Sequence, residues 1–229
     1  GSFAQSYLIP AVKEWGASLD GVVTANGMSS KNVLDKFRFN FCSSDINDLL
    51  NKEDINTIFI ATPHNIHSEL VIKSLKANKS VYVEKPLAIN EQQLAEVIRA
   101  KSESNKPLMV GFNRRFAPIC VTLRNEMVSA REPLVVNIRV NAGFIPKEHW
   151  TQQPEIGAGR IIGEVCHFID LMQYFTGSEP VKVFAESIST DNDKISPKDN
   201  IAVVVKFKDG SLGNLTYHAN GDKSLPKER

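Results

Sequence analysis

Cysteine is scarce in this chain. Cys42, Cys120 and Cys166 are odd in number and lie far apart. They argue against a disulfide framework and against a zinc knuckle, and for a reducing compartment, so a cytoplasmic protein is expected. Net charge is almost absent, with 27 basic residues against 26 acidic ones. Neither nucleic acid nor an anionic membrane is therefore expected as a partner. The basic residues are scattered, and Arg114-Arg115 is the tightest pair. No apolar run approaches the length of a membrane span, and no basic leader precedes an apolar core, so no secretory signal is expected. The five histidines nowhere take a metal-ligand spacing, and no metal is expected. Internal repeats and low-complexity segments are lacking too. What remains is 229 residues with a 42% hydrophobic share, enough for two modest domains or one large one.

The chain is organised around Val81-Tyr82-Val83-Glu84-Lys85-Pro86-Leu87. Its first three residues read as a short buried strand. Pro86 carries no N–H, so a sheet ladder stops there. Leu87 to Lys101 then reads as a helix, with Asn90 as N-cap and Leu94, Val97 and Ile98 on one face. A charged pair at the C-terminal end of a parallel strand lies where open α/β sheets bind ligands. A surface salt bridge at a strand end is the other reading of Glu84 and Lys85.

Before this stretch, Gly1 to Val12 reads as a turn feeding a helix, with Phe3, Leu8, Val12 and Trp15 as its apolar positions. Gly21 to Ala25 reads as a strand. Ser30 to Phe37 reads as a helix capped by Ser29 or Ser30, and Asp45 to Asn51 as a short helix capped by Asp45. Thr57 to Ala61 is nearly all apolar, as expected of a strand covered on both faces. Asn65 to Ala77 reads as a helix, and Pro107 to Phe112 as a strand. Strands alternating with helices at this spacing imply right-handed crossovers and a parallel sheet.

The rhythm then changes. Ala117 to Ser129 reads as a helix. Leu134 to Asn141 alternates, with Val136, Ile138 and Val140 on one face. Residues 142–159 are irregular. A long apolar helix is expected from Ile161 to Phe175, stopped by Gly177. Val181 to Ile188 reads as a strand and Ser189 to Asn200 as a polar loop. Ile201 to Phe207 and Ser211 to His218 flank Lys208-Asp209-Gly210, a hairpin signature. The expected fold class is α/β: a Rossmann-like parallel domain over residues 1–112, then an α+β domain with a mainly antiparallel open sheet over residues 113–229. A helix opening at Gly1 usually follows a strand, and none precedes it. The first strand is therefore expected to be missing, leaving a gap in the parallel sheet that weakens cofactor binding. Both ends of the chain read as cut.

Several residues carry candidate chemistry. Gly1-Ser2-Phe3-Ala4 reads as the tail of a glycine-rich dinucleotide turn, or as a cloning remnant. Thr62-Pro63-His64-Asn65-Ile66-His67 lies at the same sheet edge as Lys85. Its backbone is expected to line a cofactor cleft, with His64 and His67 as a helix cap and a surface ring. An amine such as Lys85 can polarise a hydroxyl or carbonyl oxygen, and Glu84 can orient it. His167 and Asp170 are three apart and share a helix face. An imidazole there can take a proton from a substrate hydroxyl, although spacing alone favours a buried histidine held by Asp170. Cys166 is expected in the core. Arg114 and Arg115 either bind an anionic group or are solvated.

Glu84-Lys85-Pro86 after an apolar strand, with Ala61-Thr62-Pro63 and His67 before it, resembles the Gfo/Idh/MocA oxidoreductases over essentially the whole chain. In the second half, residues 140–146, Trp150, and Gly159-Arg160-Ile161-Ile162-Gly163-Glu164-Val165-Cys166-His167-Phe168-Ile169-Asp170 are more specific. With residues 111–118 they resemble the Gfo-type half of bi-domain oxidoreductases, in which a zinc-type alcohol-dehydrogenase-like region comes first. The resemblance implies hydride transfer between a carbinol carbon and the nicotinamide of NAD or NADP. It implies Lys85 and His167 as catalytic residues. The implied cofactor site comprises Gly1, Ser2, Phe3, Ala4, Asn26, Ser29, Ala61, Thr62, Pro63, His64, His67, Glu84, Lys85 and Asn113. The implied substrate site comprises Arg114, Arg115, Trp150, Glu164 and His167. A sugar, sugar nucleotide or cyclitol is the implied substrate, since members often act in surface-polysaccharide pathways. A homo-oligomer formed through the second-domain sheet is also implied.

Three departures stand out. Gly163 replaces an aspartate four residues before the histidine, and Glu164 points about 100° away on a helix. Thr151 replaces an arginine after the tryptophan. No acidic residue stands near Ala25-Asn26 to hold ribose hydroxyls, which leaves room for NADP with Ser29, Ser30 and Lys31 near its 2′-phosphate. The rival readings are a nucleotide- or sugar-binding module without redox chemistry, favoured by Gly163, and a structural oligomerisation domain.

Overall fold

A computed structural model describes residues 1–130, 132–192 and 195–228. The chain divides into two compact units, residues 1–110 and 111–229.

The first unit opens with a wide helical turn, Ala4–Leu8, continued by α1 (Ile9–Glu14). Of the expected apolar stripe, Leu8 and Val12 are half-buried, while Phe3 and Trp15 face solvent. Strand β1 (Gly21–Val23) leads into α2 (Gly27–Phe37). The cap of α2 is Asn26 rather than a serine. Asn26 holds extended backbone angles directly after the strand, and its Oδ1 accepts from the Met28 N–H at 2.9 Å. Strand β2 (Phe41–Ser43) was not evident in the sequence, where three residues are too few to show a period. It is followed by α3 (Asn47–Leu50), preceded by Asp45, whose side chain accepts from the Asn47 N–H. Then come β3 (Thr57–Ile60), α4 (His67–Lys76), β4 (Ser80–Val83), α5 (Glu91–Ser102) and β5 (Leu108–Val110).

All these strands pair in parallel, but in two separate ladders, β1-β2 and β3-β4-β5. β1 and β3 do not pair with each other. Ile58, Ile60, Val81 and Val83 point to one side, against Val71 and Leu75 of α4 and Val97 and Ala100 of α5. Burying each large aliphatic side chain contributes about 1.5–3 kcal/mol. The opposite side is not covered. Phe59 is 44% and Met109 46% exposed, and Phe59 stacks on Tyr82 with ring centroids 5.3 Å apart. β3 is thus covered on one face, not two. α5 starts at Glu91, later than expected, because Asn90 caps it through Oδ1 to the Gln93 N–H at 2.9 Å. Val97 faces the core, whereas Leu94 and Ile98 face outward.

The second unit begins with a tight turn, Asn113–Phe116, and α6 (Pro118–Ala130). Strand β6 (Val135–Asn141) follows, then a turn at Trp150–Gln152. A wide turn, Ile161–Val165, runs directly into α7 (Cys166–Thr176). Gly177 ends that helix in the left-handed region at φ 64°, as expected. Strands β7 (Pro180–Ser187), β8 (Asn200–Phe207) and β9 (Leu212–His218) complete the unit. The sheet order is β6-β9-β8-β7, with β6 and β9 parallel and the other two pairings antiparallel. Val136, Val140, Val203, Val205, Phe207, Leu215 and Tyr217 pack with Phe168, Met172 and Phe175 of α7. Gly213 permits this closeness, since a Cβ there would lie 2.5 Å from the Met172 sulfur. On the other side of the sheet, Val135, Phe184, Val204 and Leu212 are exposed. No described helix is long and apolar enough to cross a membrane. Among the described residues, no cluster of histidine, cysteine, aspartate or glutamate could hold a metal ion, and Cys42, Cys120 and Cys166 are not joined in a disulfide.

Candidate functional site

In the first unit the expected site residues gather where β3 and β4 end. The ladder continues one step beyond Val83, with the Glu84 N–H donating to the Ile60 carbonyl at 2.9 Å. This brings Ala61-Thr62-Pro63 beside Glu84-Lys85-Pro86. Lys85 is half-buried and joined to a buried Pro86 by a cis peptide bond. The Glu84 carboxylate accepts from the Tyr82 hydroxyl at 2.7 Å. Burial first, and then this carboxylate, push the Tyr82 phenol above its ordinary range.

The two histidines of this loop are not where their sequence suggested. His64 is buried in a short turn, His64–Ile66, and is neither a cap nor a surface ring. His67 is completely buried at the start of α4. Its Nδ1 lies 2.8 Å from the Pro86 carbonyl oxygen and its Nε2 2.9 Å from the Thr62 carbonyl oxygen. Both ring nitrogens of His67 thus face backbone carbonyls rather than a cofactor, and a protonated ring nitrogen donates to the carbonyl it faces.

The other expected cofactor residues are more dispersed. Gly1, Ser2 and Phe3 are exposed and Ala4 half-buried at the opening of the first helical turn. Asn26 and Ser29 flank the start of α2, where the Asn26 side chain is already engaged as the cap. Ser30 is buried, and its hydroxyl donates to the Gly27 carbonyl, so it leaves the set proposed for a 2′-phosphate. Ser29 and Lys31 remain exposed. Asn113 belongs to the second unit, in the turn before α6. An ammonium at a parallel strand end and the part-exposed residues 61–63 fit a dinucleotide, while the first turn of α2 offers no carboxylate to ribose hydroxyls.

The second unit holds its site residues through side-chain pairs. His167 is buried in the first turn of α7, with the Phe112 ring edge-on at 6.1 Å. The Asp170 carboxylate takes the Arg115 guanidinium with both oxygens, Nε to Oδ2 at 2.9 Å. Arg114 pairs with Glu228 and lies 4.8 Å above the Phe168 ring. Both arginines expected to bind substrate are therefore engaged within their own unit. Trp150 stands part-exposed in its turn. Gly157 lets that turn close, because a Cβ there would lie 2.3 Å from the Thr151 Cα.

Glu164, also expected at the substrate, sits in a network centred on Arg160. One carboxylate oxygen accepts from Arg160 Nη2 at 2.8 Å and from the Tyr217 hydroxyl at 2.5 Å, and the other meets Lys227 at 2.7 Å. Burial works to raise the carboxyl pKa, but Lys227, Tyr217 and Arg160 together hold it at about 2. Arg160 is itself buried and donates further to the carbonyls of Gly143 and Ala142. It thereby ties the chain leaving β6 to the turn before α7. Sequence reading gave Arg160 no role. The signal was the four-residue spacing from Glu164, which puts both on one helix face.

Comparison with known proteins extends the picture. Residues 1–112 match a family model described as oxidoreductase family, NAD-binding Rossmann fold, and residues 132–224 match the GFO/IDH/MocA C-terminal domain. Myo-inositol 2-dehydrogenase of Thermotoga maritima is 29% identical over 74% of this chain and 51% of its own length. A levoglucosan dehydrogenase solved with NADH and levoglucosan superposes with a TM-score of 0.86 at 23% identity, over 97% of this chain and 66% of that one. An oxidoreductase domain protein from Kribbella flavida gives a TM-score of 0.85 at 20% identity, with the same coverage. The chain spans about half the length of the curated relatives it matches first, 54% and 51%. With its parallel half matched by the family's NAD-binding part and its mixed-sheet half by the family's C-terminal domain, the chain belongs to the Gfo/Idh/MocA oxidoreductase family.

Proposed function

We propose that this protein is an NAD(P)-dependent oxidoreductase acting on a secondary alcohol of a sugar, sugar nucleotide or cyclitol. The observation that carries the reading is Lys85, presented at the end of β4 beside the backbone of residues 61–63. The relatives support it, being named for inositol and for an anhydrosugar. Residues 61–63 and the start of α2 would hold the dinucleotide. When bound, nicotinamide supplies the hydride acceptor or donor. Lys85 places positive charge against the substrate oxygen and stabilises its alkoxide character. His167 accepts the hydroxyl proton in the oxidative direction and returns it in the reductive one. The exposed Ser29 and Lys31, with no acid in the first turn of α2, are compatible with either NAD or NADP.

The test is absorbance at the reduced-nicotinamide band when NAD⁺ or NADP⁺ is mixed with a panel of cyclitols and sugars. Lys85→Ala should lower turnover by at least about 100-fold while leaving NADH affinity nearly unchanged. Equal turnover in wild type and variant would remove Lys85 from the mechanism. The second reading, a binding module without redox chemistry, is favoured by Gly163 and by the internal pairing of Arg114 and Arg115. Sugar binding with no absorbance change for any substrate would establish it instead.

A further inference from the structure

Two neighbouring strand ends must be held together for Lys85 to stay in one place. The β3–β4 ladder makes its last bond from the Glu84 N–H to the Ile60 carbonyl. Pro86 has no N–H to continue it. The next bridge between the two ends is a side chain, the ring of His67. It reaches the carbonyl of Pro86 on one side and that of Thr62 on the other, at 2.8 and 2.9 Å. Lys85 is bracketed as a result: the residue before it is fastened by its N–H, and the residue after it by its carbonyl.

We propose that His67 is a positioning residue, whose buried ring ties the Thr62 carbonyl to the Pro86 carbonyl and thereby fixes Lys85 at the end of β4. The inference rests on the reading of Lys85 as the group that meets the substrate oxygen. A carbonyl oxygen only accepts, so each bond is donated by a ring N–H. The neutral ring makes one of the two bonds, and the ring protonated on both nitrogens makes both. The imidazole is completely buried, so it acts on the reaction through these two loops and not by touching a ligand. The cost of removing it falls on whichever of the two carbonyls its ring N–H groups serve, and on the freedom that residues 84–87 regain.

Two variants test this. His67→Phe fills the space without a donor, and His67→Gln keeps an amide donor. In His67→Phe, hydrogen exchange of the main-chain amides in residues 84–89 should quicken by about tenfold, with residues 135–218 unchanged and His67→Gln intermediate. The kcat of His67→Phe should fall by about tenfold to 100-fold, and His67→Gln should recover part of it. The NADH dissociation constant should change by less than about threefold. Unchanged exchange at 84–89 overturns the proposal, as does a kcat within about twofold of wild type or an NADH affinity that falls as much as kcat. If the phenylalanine variant does not fold, the glutamine variant carries the same comparisons at smaller amplitude. Lys85→Ala in the same assays separates the two claims. Full turnover there withdraws the role of Lys85, while exchange at 84–89 still decides whether His67 holds the loop.

Discussion

The two halves of this molecule secure their expected chemistry by different means. In residues 1–110 the strand ends are joined through backbone groups, with Glu84 bonded to Ile60 and the carbonyls of Thr62 and Pro86 bridged by one ring. In residues 111–229 the expected residues are held by charged side chains: Arg115 on Asp170, Arg114 on Glu228, and Glu164 among Arg160, Tyr217 and Lys227. A backbone arrangement tolerates many side chains but demands a fixed register. A buried charge network is the reverse: it tolerates little substitution, because losing one partner leaves another charge buried and unpaired.

The largest effect that would sharpen this contrast is expected at Arg160. Arg160→Ala leaves two carbonyls without their donor and Glu164 with one cation fewer. It should destabilise the second half by about 3–5 kcal/mol, read as a lower denaturation midpoint with faster exchange in β6 and β9. A loss below about 1 kcal/mol would show that the network is dispensable and the contrast mistaken.

Acid should act next. The Glu164 carboxyl titrates at about 2 in the folded protein, against an ordinary value of 4.5. A depressed carboxyl stabilises the fold fully above the ordinary value, and that contribution is lost as pH falls toward about 2. Unfolding free energy of the second half should therefore drop by roughly 3 kcal/mol across this window, and Glu164→Gln should flatten the slope. An unaltered slope in Glu164→Gln would assign the acid sensitivity elsewhere.

The smallest effect is expected in the first half. Asn90→Ala removes the bond from the Gln93 N–H and should cost about 1 kcal/mol by chemical denaturation. A cost comparable to that of Arg160→Ala would mean that local caps carry as much stability as the charge network does.

Legibility in the sequence followed the same division. Asn90, Gly177 and Lys208-Asp209-Gly210 announced a helix start, a helix stop and a hairpin, and each does so in the structure. Alternation at Val136, Ile138 and Val140 showed the inward face of β6. These signals are local, since a cap or a turn depends on residues a few positions apart. The side-chain pairings that were not legible depend on distant partners. Asp170 was read against His167, three residues away, yet its carboxylate takes Arg115, fifty-five positions earlier. His67 was read as a surface ring because nothing beside it in sequence says that Pro86 will pass over it.

The alternation of helices with parallel strands in the first half and the strand-end position of Lys85 were thus set by the chain's own periodicity and punctuation. These depend on short-range sterics and on the alternation of apolar residues. Which acid neutralises which arginine, which face of β3 stays bare and which ring clasps the loop around Lys85 were decided only when distant segments packed. A buried polar group takes whatever partner the packing brings within reach, and sequence spacing carries no record of that distance.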